Sequence, residues 1–257
     1  MNISINNINI NYRSEGAGDA LVLLHGWGSN IKLFDGIFDL MSGQYNVLAP
    51  DMPGFGLSQE PSSPWCVDDY VDFVIDFLKS LNIKKASFLG HSFGGRVIIK
   101  LLNRPDLPFE IDKLVLVDSA GIKPEKSFKQ KLKLRVYKLS KGVLNLAPVK
   151  RLFPDALENL RKKNGSADYN NASPIMRQCL VKVVNEDLTH LLPSIKQPVL
   201  LIWGSNDTAT PLSDGKLMES LMPEAGLAVI EGVGHYSFIE NQAVFNNIMR
   251  SYFRIGN

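Results

Sequence analysis

The chain has 257 residues, enough to bury a large core and to form one generous α/β domain, and its 45% hydrophobic and 21% charged content is that of an ordinary soluble globular protein. No apolar run approaches the roughly 20 residues that span a bilayer, so no integral membrane segment is expected. The N-terminus lacks the basic region and long apolar stretch of a secretory signal. The net charge of +2 by itself selects no partner, and two cysteines, Cys66 and Cys179, make no disulfide framework and match no metal-ligand spacing. Both read as buried or incidental thiols of a reducing, cytoplasmic compartment.

Strand-like and helix-like signals alternate over residues 1–120. Ile8 to Tyr12 has the period-two alternation of a half-buried antiparallel strand. Ala20 to Leu24 is a continuous apolar run, as in a central strand covered on both faces. Tyr45 to Ala49 is a third strand, closed by turn formers from Pro50 to Gly56. Val67 to Leu81 spaces Val71, Val74, Ile75 and Leu78 as a helix, with Asp68 and Asp69 favouring its N-terminus. A short strand over Lys85 to Leu89 precedes Gly90-His91-Ser92-Phe93-Gly94, and Gly95 to Leu102 reads as the next helix. Leu114 to Val117 is a further buried strand. This rhythm predicts a parallel sheet with helices on both faces.

From about 122 to 191 the rhythm gives way to a helical pattern broken at Pro148, Pro154 and Pro174. It resumes with a strand at Pro198 to Trp203, a helix near 211–221, a strand at Leu227 to Ile230 and a closing helix from Gln242 to Phe253. The simplest architecture is an α/β core, residues 1–121 and 192–257, interrupted by a helical insertion, residues 122–191.

The turn at Gly90 to Gly94 carries the first chemical signal. A serine hydroxyl is a weak nucleophile until it is oriented and relieved of its proton. A G-x-S-x-G sequence between strand and helix supplies the orientation, because small neighbours let the backbone bend sharply at the serine. The serine then needs a base, and the base an orienting acid. Among the four histidines, His91 adjoins the serine, His25 ends a strand, and His190 lies at the tail of the insertion. His235 occupies a glycine-flexed loop after the last strand, where an open α/β sheet assembles its site, and is the expected base. Asp207 follows the penultimate strand, giving the order Ser92, Asp207, His235; Asp118 also ends a strand and competes for the acid's role. Asp51 precedes the nucleophile and is read as a brace for the loop around Pro53 and Gly56. The oxyanion of a tetrahedral intermediate would be met by the backbone N–H groups of Phe93, at a helix start, and Trp27, in the loop after Leu24. Their side chains suit a pocket wall as well.

Five segments together resemble the α/β-hydrolase superfamily: His25-Gly26-Trp27-Gly28, Asp51 to Ser58, Gly90 to Gly95, Gly204-Ser205-Asn206-Asp207 and Gly232-Val233-Gly234-His235. The resemblance implies an eight-stranded, mostly parallel sheet with a helical cap inserted after the sixth strand, here from Gly121 onward. It implies serine hydrolases without metal or organic cofactor, mostly esterases, lipases, peptidases, thioesterases and carbon–carbon bond hydrolases. Relatives that open epoxides or displace halide carry aspartate where this chain has Ser92. The His-Gly-Trp-Gly loop is similar to that of bacterial carboxylesterases acting on pimeloyl-carrier-protein methyl esters, although His91 stands where those enzymes commonly carry Trp.

Charge is distributed unevenly. Residues 121–163 hold ten lysines and three arginines against Glu125, Asp155 and Glu158, a net +10, which leaves −8 for the rest of the chain. Such a segment suits an anionic or carrier-bound substrate, an anionic cell-wall fragment or an anionic membrane surface, or else is a solvated face. No recognition motif accompanies it, so nucleic acid is not expected. The combined expectation is a cytoplasmic, monomeric or weakly dimeric serine hydrolase acting on a small or medium carboxylic ester. An aminopeptidase-like enzyme using Glu186 and Asp187, a carbon–carbon hydrolase and a non-catalytic receptor are the alternatives.

Overall fold

The structure, a computed structural model, describes residues 1–123, 128–153, 155–156, 160 and 166–256. The chain opens with β1 (Asn2–Ile5) and β2 (Ile8–Glu15), an antiparallel hairpin turned by Asn6 and Asn7 at φ 49° and 65°. Asparagine tolerates this left-handed region better than most residues, which is why a tight two-residue turn forms here. There follow β3 (Ala20–Leu24), β4 (Asn46–Pro50), β5 (Lys85–His91), β6 (Glu110–Val117), β7 (Val199–Gly204) and β8 (Ala225–Ile230). They make one eight-stranded sheet in the order β1-β2-β4-β3-β5-β6-β7-β8. Pairing is parallel from β4 through β8 and antiparallel at β1–β2 and β2–β4.

Strand alternation divides the core into two layers. Val22, Leu24, Phe88, Leu114, Leu116, Leu201 and Trp203 face α2 (Val67–Ser80) and α3 (Phe93–Leu101), whose Tyr70, Phe73, Phe77, Val97 and Ile98 fill that side. Leu21, Leu23, Leu89, Val115, Val117 and Ile202 face the opposite side. There α1 (Asp35–Met41) and the last helix, Gln242–Phe253, supply Phe38, Met41, Phe245, Met249 and Phe253. Burying each such side chain contributes about 1.5–3 kcal/mol, so the doubly covered strands are the most firmly held part of the molecule. Chain order reverses between β3 and β5. Their carboxyl ends open the crevice in which such sheets bind ligands.

Between β6 and β7 lie α4 (Phe128–Leu144), α5 (Ala147–Leu152), α6 (Ala167–Asn171) and α7 (Pro174–Asn185), then a 3₁₀ segment, Thr189–Ser194. The expected insertion also includes residues 124–127, 154, 157–159 and 161–165, among them Pro154, which lie outside the described residues. Two of the expected breaks are instead beginnings. Pro174 is the first residue of α7 and Pro148 the second of α5, where a missing N–H costs nothing. After β7 come α8 (Leu212–Leu221) and, beyond β8, α9 (Ser237–Glu240) and α10 (Gln242–Phe253). The sequence reading passed over β1, which is only four residues long, and α1, which is preceded by a 3₁₀ turn at Ile31–Phe34. Among the described residues no helix is long and apolar enough to cross a membrane.

Lys100 of α3 ties together the helices on one face of the sheet by pairing with Asp68 of α2 and with Glu186 just past α7. The β5–α3 junction depends on close backbone approach. A Cβ on Gly94 would lie 1.9 Å from the carbonyl oxygen of Leu24, and one on Gly90 would lie 2.6 Å from the backbone of Gly95. Because the obstacle at Gly94 is β3 backbone, Gly94→Ala is expected to cost about 3 kcal/mol or more, read as a fall in urea midpoint, whereas Gly142→Ala, in open space on α4, should cost almost nothing.

Candidate active site

Ser92 sits between β5 and α3 at φ 50° and ψ −110°, outside the regions that L residues ordinarily occupy. The strain is held from both sides. The Ser92 N–H donates to the Val117 carbonyl (3.0 Å), and the Ser92 carbonyl accepts from the Ala120 N–H (3.0 Å) and the Gly95 N–H (3.1 Å). The end of β6 thus clamps the turn and fixes the direction of the hydroxyl.

The structure brings Ser92, His235 and Asp207 into one hydrogen-bonded chain. The Ser92 hydroxyl lies 3.0 Å from His235 Nε2, and His235 Nδ1 lies 2.8 Å from Asp207 Oδ2. With Asp207 ionised, Nδ1 carries the proton, and the Nε2 lone pair accepts from serine. Asp207 is itself built by a turn. Its Oδ1 accepts from the N–H groups of Ala209 (2.7 Å) and Thr210 (3.0 Å), and the Thr210 hydroxyl lies 2.7 Å from Oδ2. Burial pushes the Asp207 carboxyl up, but the hydrogen bonds from His235 and Thr210 outweigh it and hold the group below the usual carboxylate range.

Asp118 does different work. Its Oδ1 accepts from the Gly204 N–H (2.8 Å), and its Oδ2 from the N–H (3.0 Å) and hydroxyl (2.7 Å) of Ser237, two residues beyond His235. It joins the ends of β6 and β7 to the loop that carries His235, while the bond to the imidazole belongs to Asp207. Burial dominates at Asp118 and raises its pKa to about 6 against those hydrogen bonds, with the nearby Asp207 charge adding to the rise.

His91 has a role that its sequence position concealed. It is buried, and its Nε2–H donates to the carbonyl of His235 (2.8 Å). Its ring lies 4.9–5.1 Å from those of His235, Tyr236 and Phe238. Burial, with the His235 charge next, lowers its pKa to about 3, so it is a neutral prop at every working pH. His25 is likewise buried and held below its ordinary value, chiefly by desolvation; its Nδ1 meets the Gly26 carbonyl (2.8 Å) and its Nε2 accepts from the Met52 N–H (3.0 Å). Asp51 braces its loop by accepting from the N–H groups of Ile31 and Leu57 (2.8 and 2.9 Å). His190 is exposed. Of the cysteines, Cys179 is buried with Sγ accepting from the Trp65 N–H (3.1 Å), and Cys66 precedes α2.

The two residues expected to supply backbone donors to the oxyanion, Trp27 and Phe93, pack against each other with ring centroids 5.4 Å apart. Phe93 is the first residue of α3, so its N–H has no partner within the helix. Trp27 occupies the turn closed by Ser29 N–H on the Gly26 carbonyl (3.2 Å). Gly26 passes so close that a Cβ there would lie 3.3 Å from Ser92 Cβ. The rings of Trp27, Phe55, Phe93 and Tyr70 pack edge to face beside it, with centroids 4.8–5.4 Å apart along the chain of contacts. Beyond Trp27 opens a cavity of about 320 Å³, lined by Phe55 and Met176 and by the carboxylates of Glu60 and Asp168. Among the described residues no group of His, Cys, Asp and Glu could hold a metal ion.

The family model for the alpha/beta hydrolase fold matches residues 19–242, and the chain belongs to that family. The pimeloyl-[acyl-carrier protein] methyl ester esterase of Nitrosomonas europaea is 26% identical over 250 residues, covering 90% of this chain and 94% of that one. The 2-hydroxy-6-oxo-2,4-heptadienoate hydrolase of Pseudomonas putida is 26% identical over 265 residues, covering 95% and 92%. A hydrolase from Pseudomonas aeruginosa superposes with a TM-score of 0.75 at 23% identity, covering 98% of this chain and 97% of that one, a likeness of fold.

Two outcomes follow from the neighbouring groups. The unfolded chain releases the Asp118 proton near pH 4 and the folded chain near 6, so this carboxylate costs stability increasingly as pH rises through that window and is at full cost above it. Relative to the permanently neutral Asp118→Asn, the wild type should therefore lose up to about 3 kcal/mol between pH 4 and 7, measured by urea unfolding of both proteins. His91→Ala removes the donor to the His235 carbonyl; where turnover is measured, kcat should fall about 100-fold with KM little changed.

Proposed function

We propose that this protein is a serine hydrolase that cleaves a small or medium carboxylic ester through an acyl-enzyme. The observation that carries the reading is the unbroken chain from Asp207 through His235 to a serine held at φ 50° beneath the Gly26–Trp27 backbone. In that reading Ser92 Oγ attacks the ester carbonyl while His235 Nε2 takes its proton. The negative charge moves to the carbonyl oxygen, where the N–H groups of Trp27 and Phe93 receive it. His235 then returns the proton to the leaving alcohol, and water, activated by the same imidazole, releases the acid. Asp207 stays ionised, holding the tautomer and stabilising the imidazolium.

Residues 1–121 and 192–257 form the hydrolase core in this reading, with 122–191 as a cap that shapes specificity. Glu60 and Asp168 at the cavity disfavour an anionic group there. An anionic or carrier-borne portion of the substrate would lie outside, toward the basic helix α4. Glu186, a residue an aminopeptidase would need for a substrate amine, is already paired with Lys100, which favours the ester over the peptide reading.

The test is labelling with a fluorophosphonate probe, followed by turnover of p-nitrophenyl esters of graded chain length alongside aminoacyl anilides and a dienoate. Wild type should label and Ser92→Ala should not, with kcat down by about 10⁶-fold. Asp207→Asn should lower kcat by about 10⁴-fold, while Asp118→Asn should change stability more than turnover. Equal labelling of wild type and Ser92→Ala would sink the proposal.

A further inference from the structure

Helix α4 presents an apolar stripe to solvent. Leu132, Val136, Leu139 and Val143 recur at the four-and-three spacing of one helix face, and each is more than half exposed, Leu139 most at 72%. The exposed apolar surface continues through Leu146 to Leu152 and Phe153 around α5. The same 17-residue helix carries Lys129, Lys131, Lys133, Arg135, Lys138 and Lys141 and no acidic residue. Arg135, Lys138 and Lys141 are exposed, as is Arg151 of α5. Arg135, Lys138, Lys141 and Arg151 do not line the cavity beside Trp27, so their charge serves the outside of the molecule.

We infer that α4 is an interfacial helix that docks the protein on an anionic lipid surface, with the Leu132–Val143 stripe sunk among the acyl chains and the flanking cations against the headgroups. Three observations select lipid over a protein partner. The exposed side chains of the stripe are all aliphatic, and a fluid bilayer accommodates them without a matching groove. Segment 121–163 is net +10 and the remaining chain −8, so an anionic surface attracts this segment and repels the rest of the chain, which favours an orientation with α4 toward the surface. A second copy meeting the same face by two-fold symmetry would set cation against cation. At about 25 Å long and bearing six cations, α4 can lie in the interface but not cross it.

The experiment is flotation of the full chain with phosphatidylcholine vesicles, with and without phosphatidylglycerol, at low and high salt. Binding should be at least tenfold stronger with phosphatidylglycerol and should fall as salt rises. The exposed triple variant Leu132→Ser, Val136→Ser, Leu139→Ser should lose binding by at least tenfold with an unchanged circular dichroism spectrum. Arg135→Ser and Lys138→Ser should weaken binding by about fivefold each. No flotation, equal flotation on both vesicles, or serine variants that float like wild type would overturn the inference. So would a concentration-dependent dimer abolished by the triple variant, or capture of an acidic acyl-carrier protein with vesicles ignored.

Discussion

The strained backbone at Ser92 is the constraint on which the site depends. A side chain at φ 50° and ψ −110° persists only where its surroundings over-determine it, and here each neighbour contributes. Glycine at 90, 94 and 95 lets β3, β5 and the Ser119 side chain approach within distances that a methyl group would forbid. The end of β6 holds both the N–H and the carbonyl of the serine. The result is a hydroxyl projecting from the crevice between β3 and β5, with a helix start beneath it and a second backbone strand above it.

Two aspartates at the ends of adjacent strands show how environment assigns chemistry. Asp207 receives two backbone donors, a threonine hydroxyl and the imidazole, so its ionised form is favoured although it is buried. Asp118 receives donors from Gly204 and Ser237, but desolvation prevails and its pKa rises to about 6. The first carboxylate suits the orientation of an imidazolium; the second joins three segments. His91 completes the support from the other side by bonding the His235 carbonyl rather than its ring. The imidazole is therefore fixed through its backbone as well as through Nδ1.

Charge follows a similar division between inside and outside. The cavity beside Trp27 is bordered by carboxylates, whereas Arg135, Lys138 and Lys141 of α4 and Arg151 of α5 face solvent. Charge at the cavity and charge at the outer surface are therefore separate, and changing one need not disturb the other.

Much of this was legible in the chain itself. A short apolar run such as Ala20 to Leu24, bounded by glycine-containing turns, reads as a strand covered on both faces, and G-x-S-x-G between a strand and a helix specifies a bend at Ser92, because these signals are local and set by sterics and solvation. The glycine-rich loop at His235 and the turn formers around Asp207 also stood out. What local signals could not settle was which aspartate reaches the imidazole, since Asp118 and Asp207 both end parallel strands. Only the packing of β6, β7 and the loop after β8 places Asp207 at 2.8 Å from Nδ1 and turns Asp118 toward Ser237. Thr210 and His91 escaped for the same reason, although Asp207-x-x-Thr210 has the spacing of an aspartate-capped turn. Sequence determined the layered sheet and its serine bend; tertiary structure alone decided which polar groups meet, because hydrogen-bond partners separated by 28 to 144 residues are chosen by strand order and not by neighbours in the chain.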